Sequence, residues 1–294
     1  MPLSPMDRPS FSREKKSRLE NQLEQFFELN EGDWRRHYPG LTLTRLKQDL
    51  EVLKEASVEE FLQELKSGKP LEYITGQAHF FGRDFYVNPD VLIPRFETEI
   101  LADEATKMIN SINKTKVDVA EVGIGSGCIG LTILCDSRKP IHFIGGDISE
   151  GALGVSRNNF ESFKNEFKFN HEVEYRKMDR LEGLEANSLD LIVSNPPYIK
   201  SEGDRSLVHA QVDQFEPSVA LYINDEEYDQ WFLSFFQQAI NCLRPDGIFL
   251  MEGHEHHLKN QMNIINEFDS ISHCEIIKDL NSEDRFLKFR KKNG

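Results

Sequence analysis

Strand-like and helix-like segments alternate along the chain from about residue 97 to residue 267. Short apolar runs, typical of buried strands, are separated by longer segments whose apolar residues recur at helical spacing. Such alternation predicts a parallel sheet covered by helices on both faces. We predict helices near 97–110, 127–135, 149–164, 226–242 and 255–267, and strands at 117–122, 141–146, 172–177, 189–194 and 247–251.

The end of the chain departs from this alternation. Two strand-like runs, SHCEIIKDL and DRFLKFRKK, are separated only by the turn NSE, so they must pair antiparallel. A mostly parallel sheet that ends in an antiparallel hairpin differs from a plain dinucleotide-binding fold. Segment 195–225 shows no convincing helix or strand of its own, and loops of this length are usually functional or disordered.

The N-terminal part of the chain has a helical pattern. Residues from about 12 to 68 place apolar side chains at helical spacing, and Ser57 with Glu60 forms a capping box that marks a helix start. The run HFFGRDFYV at 79–87 predicts a hairpin that turns at Gly82-Arg83-Asp84. We predict a helical domain at 1–75, a hairpin linker at 76–96 and a larger α/β domain at 97–294.

Composition limits the class of protein. The 294 residues carry a formal net charge of −15, so the molecule as a whole repels a phosphate backbone. The basic runs at 13–16 and 290–292 are interpreted as solvated chain ends. No stretch approaches 18 consecutive apolar residues, and the polar N-terminus has no apolar signal segment. We therefore expect a cytoplasmic protein that contacts neither nucleic acid directly nor a membrane.

Cysteine and histidine give no sign of a metal site. The four cysteines form no CxxC pair and are expected to be reduced core residues. His254, His256 and His257 in GHEHH do not follow the HExxH spacing, and a helix would spread them over different faces. We expect no bound metal.

A glycine-rich segment, VDVAEVGIGSGCIG at 117–130, directly follows a predicted strand. Glycine lets the backbone turn sharply and approach a ligand, and the next helix offers unpaired N–H groups. A GxGxxG match at 125–130 would indicate NAD, but Gly123 ends the strand, so ExGxGxG describes the motif better. The candidate cofactor-binding residues are Glu121, Gly123, Gly125 and Gly127. A tight turn that binds no ligand is the alternative.

Acidic residues follow the next two predicted strands. Asp147 lies about 20 residues beyond the glycine loop, where a carboxylate can accept hydrogen bonds from both ribose hydroxyls, although it could instead cap the helix near Ser149. Met178 and Asp179 follow the third strand. An apolar side chain beside a carboxylate would suit an adenine ring and its exocyclic amine, whereas Asp179 alone would be an ordinary loop acid.

The fourth strand ends in Asn195-Pro196-Pro197-Tyr198, at the edge where open α/β sheets bind ligands. Asn195 offers a side-chain carbonyl, Pro196 offers a backbone carbonyl, and the tandem prolines fix the direction of both. Two converging acceptors suit an NH2 group, and Tyr198 offers a flat face for stacking. A rigid turn without a ligand is the alternative.

These motifs and the stretches around them resemble the HemK-type release-factor glutamine methyltransferases. The similar stretches are PLEYITGQAHFFGRDFYVNPDVLIPRFETE at 70–99, DLIVSNPPYI at 190–199, FEPSVAL at 215–221 and DLNSEDRFL at 279–287. The resemblance covers nearly the whole chain. It implies the class I fold of S-adenosylmethionine-dependent methyltransferases: a mostly parallel seven-stranded sheet with a terminal antiparallel hairpin, plus a small N-terminal helical domain.

The resemblance also implies an activity and a partner. The cofactor would be S-adenosylmethionine, and the methyl acceptor would be the glutamine amide in the Gly-Gly-Gln loop of a class I peptide-chain release factor. The helical domain at 1–75 would hold the partner, with Arg95, Glu97 and Glu99 near the junction. Surface salt bridges are the alternative for these three residues.

The chain departs from the family pattern in two places. The family usually has Asp, Leu and Thr where this chain has Glu121, Val122 and Ile124. Glu121 is still a carboxylate, so we expect cofactor binding to survive. The segment YINDEEY at 222–228 lacks the expected glycine-rich turn and should shape substrate access differently.

Three other functions compete with this interpretation. An adenine-N6 methyltransferase on DNA or RNA shares NPPY but should carry a basic recognition region. An NAD-dependent oxidoreductase is disfavoured by the glycine spacing and the terminal hairpin. A noncatalytic adapter would not need Asn195.

Overall fold

The computed structural model describes residues 21, 23–25, 38 and 58–293. The chain divides into two compact units, Met1–Gln77 and Ala78–Gly294. Most of the predicted helical pattern at 12–57, including Ser57 of the capping box and the basic run at 13–16, lies outside the described residues. The domain boundaries at 75 and 96 remain predictions.

From residue 58 onward, helices and strands follow one another closely. Short 3₁₀ turns occupy Lys164–Glu166 and Arg205–Leu207. The order of the other elements is α1 (Val58–Lys66), α2 (Leu71–Thr75), β1 (Gln77–Phe80), β2 (Arg83–Tyr86), α3 (Phe96–Ser111), β3 (Val117–Val122), α4 (Cys128–Asp136), β4 (Ile141–Asp147), α5 (Glu150–Phe163), β5 (Glu172–Lys177), β6 (Leu189–Ser194), β7 (Ile199–Lys200), α6 (Ala210–Phe215), α7 (Ser218–Leu221), β8 (Tyr222–Ile223), α8 (Tyr228–Cys242), β9 (Leu243–Glu252), α9 (Leu258–Asn266), β10 (Ile271–Lys278) and β11 (Asp284–Lys291).

The first unit contains α1 and α2. Helix α1 buries Phe61 and Leu65, and Gly68, with φ of 80°, follows its end. The hydroxyl of Tyr38 donates to the carbonyl oxygens of Leu65 and Lys69, at 3.1 and 2.6 Å. These bonds hold the Tyr38 side chain against the end of α1 and the segment that leads into α2.

A two-stranded hairpin of β1 and β2 follows. Its turn consists of Phe81 and Gly82, both with positive φ, 50° and 75°, as in the type I′ turns that match the twist of a hairpin. The hairpin was predicted, but its turn was placed at residues 82–84. Arg83 and Asp84 lie in β2 because the left-handed pair begins one residue earlier.

The central sheet has seven strands in the order β10-β11-β9-β6-β3-β4-β5. Strands β9, β6, β3, β4 and β5 run parallel to one another, whereas β11 is antiparallel to both β10 and β9. This confirms the predicted class I architecture of a mostly parallel sheet with a terminal antiparallel hairpin.

Helices cover both faces of this sheet. Alternate residues of the strands point to opposite sides, so Val119 packs with α3, α4 and α5, while Ala120 packs with α8 and α9. The aromatic helix α8 contributes Phe232, Phe235 and Phe236, all fully buried, and burial of each such side chain contributes roughly 1.5–3 kcal/mol. The Phe-rich segment of α8 is therefore part of the core.

Two parts of the sequence-based assignment were wrong. Segment 195–225, predicted to have no elements, contains β7, α6, α7 and β8, and β7 pairs parallel with β8. These elements are too short to show a periodic pattern. The strand predicted at 247–251 begins at Leu243, because Leu243 already pairs with Leu189 of β6.

Candidate active site

A cavity of about 300 Å³ opens at the carboxyl ends of β3, β4, β5 and β6. This is the edge where open α/β sheets bind ligands. Nine residues predicted for the site line the cavity: Arg95, Gly123, Gly125, Asp147, Met178, Asp179, Asn195, Pro196 and Pro197. Four do not line it: Glu97, Glu121, Gly127 and Tyr198.

The glycine loop between β3 and α4 forms one wall. Gly125 has φ of 53° and Gly127 has φ of 79°, values that residues other than glycine rarely adopt. A Cβ on Gly127 would lie 2.6 Å from Ser156 Oγ. Gly127 therefore permits close packing against α5. It does not line the cavity, although it was predicted to bind the cofactor, whereas Gly123 and Gly125 do line it.

Asp147 ends β4 and faces the glycine loop. Its Oδ2 accepts from the backbone N–H of Gly125 at 3.0 Å, and its Oδ1 accepts from that of Ser149 at 2.9 Å. Burial raises the pKa of this carboxyl, and the backbone N–H donors oppose the shift. The N-cap of α5 is Ser149, whose hydroxyl accepts from Ala152 N at 3.2 Å, so the alternative role of Asp147 as the cap is wrong.

Glu121 lies behind the loop and away from the cavity. It is 1% exposed; its Oε2 accepts from Gly130 N at 2.9 Å, and its Oε1 has no hydrogen-bond partner among the described residues. Burial, followed by the nearby Asp147, raises the pKa of Glu121 well above its ordinary value. Glu121 does not line the cavity, and its carboxyl supports the start of α4; contact with the cofactor remains a prediction.

Another wall of the cavity combines an apolar surface with a carboxylate. Met178 and Asp179 line the cavity beside Trp231 of α8. Arg180 pairs with Asp179 at 2.7 Å and lies over the Trp231 ring, 5.3 Å from its centroid. Nothing in the local sequence indicated this contact, because Trp231 comes from α8, 51 residues further along the chain.

Asn195 directly follows β6 and is hydrogen-bonded to one buried side chain, which is bonded in turn to a second. Its Nδ2 donates to Thr98 Oγ1 at 3.2 Å, and Thr98 donates to Glu252 Oε2 at 2.7 Å. Thr98 lines the cavity as well. Neither partner was predicted from the sequence, although Thr98 is part of LIPRFETE and Glu252 ends a parallel strand at the same edge of the sheet.

Tyr198 does not present its ring to the cavity. Its hydroxyl donates to Glu252 Oε1 at 3.1 Å, and burial raises the pKa of the phenol. Its carbonyl oxygen accepts from the Tyr228 hydroxyl at 2.9 Å. These two hydrogen bonds anchor the segment that follows the prolines, and stacking of Tyr198 against a substrate remains a prediction.

A salt bridge joins the segment before α3 to the segment before α7. Arg95 Nη2 contacts Glu216 Oε1 at 2.5 Å, and Glu216 Oε2 accepts from Ile93 N at 3.1 Å. Glu216 is buried while Arg95 lines the cavity, so this is not an ordinary surface pair. Of the two predicted acids, Glu97 lies outside the cavity, and Glu99 accepts from Phe81 N at 2.7 Å.

The histidine cluster packs against itself and an acid. The rings of His256 and His257 lie 5.0 and 5.1 Å from that of His254, and His257 Nε2 contacts Asp204 Oδ2 at 2.8 Å. Across the described part of the chain, no group of three or more His, Cys, Asp or Glu residues could hold a metal ion. Nor does any helix in that part have the length and apolar character needed to cross a membrane.

Comparison with known proteins agrees with this arrangement. Residues 98–216 match the family model described as the methyltransferase small domain. The chain is 32% identical over 241 residues to a release factor glutamine methyltransferase of Bacteroides thetaiotaomicron, covering 81% of this chain and 82% of that protein. It is 35% identical over 239 residues to the protein of the same name in Nitratidesulfovibrio vulgaris, covering 79% and 76%. With this similarity over most of its length, the chain belongs to the release factor glutamine methyltransferase family.

Proposed function

We propose that this protein transfers a methyl group from S-adenosylmethionine to the side-chain amide nitrogen of a glutamine in a class I peptide-chain release factor, within its Gly-Gly-Gln loop. The observation that carries the proposal is the orientation of Asn195. Its Nδ2 is bonded to Thr98, so its carbonyl oxygen is left to accept a hydrogen bond in the cavity. The names of the similar proteins support the same substrate.

The cavity suits S-adenosylmethionine. Backbone at Gly123 and Gly125 permits close approach, Asp147 offers a carboxylate to ribose hydroxyls, and Met178 with Asp179 offers an apolar surface and an acceptor to adenine. When bound, this cofactor would supply an electrophilic methyl group. The assignment of these residues to the cofactor is part of the proposal.

Chemistry at an amide requires alignment more than a base. The nitrogen lone pair is delocalised into the carbonyl, and the amide pKa is far too high for a carboxylate or histidine to remove the proton beforehand. Asn195 Oδ1 and the Pro196 carbonyl would accept the two N–H groups and hold the nitrogen in line for attack. Alignment of this kind can contribute up to about 7–11 kcal/mol. The same acceptors stabilise positive charge as it develops on nitrogen, and the proton leaves afterwards.

The Arg95–Glu216 pair closes the substrate side of the cavity. It fixes the segment around Arg95 against the segment that begins at Glu216. Val219 and Tyr222 of the second segment line the cavity. We propose that this pair shapes the opening through which the glutamine enters.

Radiolabelled S-adenosylmethionine tests this function directly. It is offered in parallel with a purified release factor, with the same factor carrying Gln→Ala in its Gly-Gly-Gln loop, and with duplex DNA. Label on the wild-type factor alone is the expected result. Label on DNA would show an adenine methyltransferase instead, and label on none of the three would contradict methyl transfer to this substrate.

A further inference from the structure

Asn195 forms a hydrogen-bonded series with two buried side chains from distant parts of the chain, Thr98 and Glu252, at one side of the cavity. Asn195 Nδ2 donates to Thr98 Oγ1 at 3.2 Å, and Thr98 Oγ1 donates to Glu252 Oε2 at 2.7 Å. Tyr198 donates to the other oxygen, Glu252 Oε1, at 3.1 Å. Thr98 is 2% and Glu252 1% exposed, so water does not compete for these bonds.

The donors and acceptors in this series can be arranged in one order only. Both oxygens of Glu252 accept hydrogen bonds, Oε2 from Thr98 and Oε1 from Tyr198, and a threonine hydroxyl has only one hydrogen to donate. Because Thr98 gives that hydrogen to Glu252, its oxygen can only accept from Asn195. The Asn195 amide must then direct NH2 toward Thr98 and its carbonyl oxygen toward the cavity.

The reverse orientation of the amide is penalised. It would place Asn195 Oδ1 against the lone pairs of Thr98 Oγ1 and would leave a buried acceptor pair without a hydrogen, which costs about 1–3 kcal/mol. It would also present an NH2 donor to the cavity. A cavity with a donor at this point would favour a carboxylate over an amide NH2.

We propose that Glu252 and Thr98 are positioning residues that fix the polarity of the Asn195 amide, so that the site selects the NH2 of glutamine and rejects the carboxylate of glutamate. This rests on the proposed function and deepens it. Tyr198 has a supporting role, since its bond to Oε1 holds the Glu252 carboxylate in place while Oε2 serves Thr98. Neither Glu252 nor Thr98 contacts the reacting atoms.

Thr98→Val removes the hydroxyl and keeps the shape of the side chain. Thr98→Ser restores a hydroxyl, and Thr106→Val deletes a hydroxyl of the same helix that donates only to Ala102 O. With a wild-type release factor as substrate, we expect Thr98→Val to lower kcat roughly 30-fold, less than the about 10²–10³-fold for a group that itself stabilises transition-state charge, because Thr98 acts only through Asn195. We expect Thr98→Ser to stay within about 3-fold of wild type, the Thr106 variant to match wild type, and the Kd of S-adenosylmethionine to be unchanged in all.

Binding of a glutamate in place of the substrate glutamine distinguishes a change in the orientation of the Asn195 amide from a mere loss of packing. A release factor with Gln→Glu in its loop is used as a competitive inhibitor, and its Ki is compared with the KM of the wild-type factor. We expect discrimination between the two to fall by about tenfold or more in Thr98→Val, since a freed Asn195 can turn its NH2 to the carboxylate. Unchanged discrimination together with wild-type kcat in this variant would overturn the proposal.

Two further measurements keep the result decisive. Glu252→Gln keeps the size of the side chain, but its amide can offer Thr98 either a donor or an acceptor. Discrimination between the glutamine and glutamate forms of the release factor should therefore fall in this variant too. This test remains available if Thr98→Val does not fold. In protein labelled with ¹⁵N-asparagine, one Asn195 side-chain N–H signal, assigned with Asn195→Ala, should shift when Thr98 is changed. That signal reports whether Asn195 is bonded to Thr98 and does not depend on methyl transfer. If the wild-type protein methylated no release factor, that result would contradict the proposed function alone.

Discussion

The two halves of the cavity are built in different ways. On the glycine-loop side, neighbouring strands supply the contacts, and Gly125 bonds to Asp147 only 22 residues away. On the NPPY side, Arg95 pairs with Glu216 across 121 residues, and Thr98 with Glu252 across 154. The first half depends on local backbone geometry, and the second depends on buried polar bonds between distant segments.

This difference predicts that the two halves fail differently. Damage to the glycine loop should reduce stability and cofactor binding together, because the loop is part of the sheet. Damage to the buried polar bonds should reduce turnover while the cofactor still binds.

The largest effect is expected for Asn195→Ala. The variant loses the side-chain acceptor for the amide, so kcat should fall by about 10³-fold, the upper end for one group that stabilises transition-state charge. Single-turnover methyl transfer gives the rate, and calorimetric titration with S-adenosylmethionine should give a Kd within a few-fold of wild type. A comparable loss of cofactor affinity would show that the two halves are not separable.

On the other side, Gly127→Ala should lower the free energy of unfolding by about 2–3 kcal/mol. The new Cβ lies 2.6 Å from Ser156 Oγ and the residue keeps a φ of 79°, so both a clash and backbone strain oppose folding. Urea unfolding measures the change.

Gly154→Ala is the matched control in α5. Its Cβ would meet nothing within 4 Å, so this helical substitution should stabilise the protein by about 0.5–1 kcal/mol. Equal effects of the two substitutions would contradict the packing argument for Gly127.

A smaller effect is expected for Glu216→Gln. The amide oxygen can still accept from Ile93 N, but the buried partner of Arg95 loses its charge, so kcat/KM for the release factor should fall about tenfold. Glu150→Gln, which affects the exposed pair with Arg157 at 3.1 Å, should change nothing measurable. Steady-state kinetics compares them, and equal activity of both variants would contradict a role for the buried pair.

The remaining prediction concerns the pH dependence of stability. Burial holds the pKa of Glu121 above its ordinary value of 4.5, so folding favours the protonated form. As pH rises from about 4.5 toward the raised pKa, wild type should lose stability relative to Glu121→Gln, by up to about 1.4 kcal/mol per pH unit.

Urea unfolding from pH 4.5 to 8 tests the sign of this effect. The contributions of other groups to stability cancel in the difference between the two proteins. The free energy of unfolding of the variant should therefore rise relative to that of wild type toward pH 8, and should show no such gain at pH 4.5. Parallel stability curves would show that Glu121 is not the cause.

The sequence predicts the first half of the cavity better than the second. The bounds of β3 and β6 and the strand-end position of Asp147 follow from apolar runs and from the rule that ligands bind at carboxyl ends of parallel strands. Thr98 and Glu252 have no local signal, because their contact exists only after β6, β9 and α3 have packed together. Glu121 was assigned to the cofactor by motif position, although the alternation of side chains along a strand buries it behind the loop.

The most direct test of the account is a crystal structure of this protein with S-adenosylhomocysteine and the glutamine-containing loop of a release factor. The account predicts the glutamine amide nitrogen about 3 Å from Asn195 Oδ1, with Asn195 Nδ2 still bonded to Thr98. An amide bound away from Asn195, or an Asn195 side chain with its oxygen turned to Thr98, would contradict it.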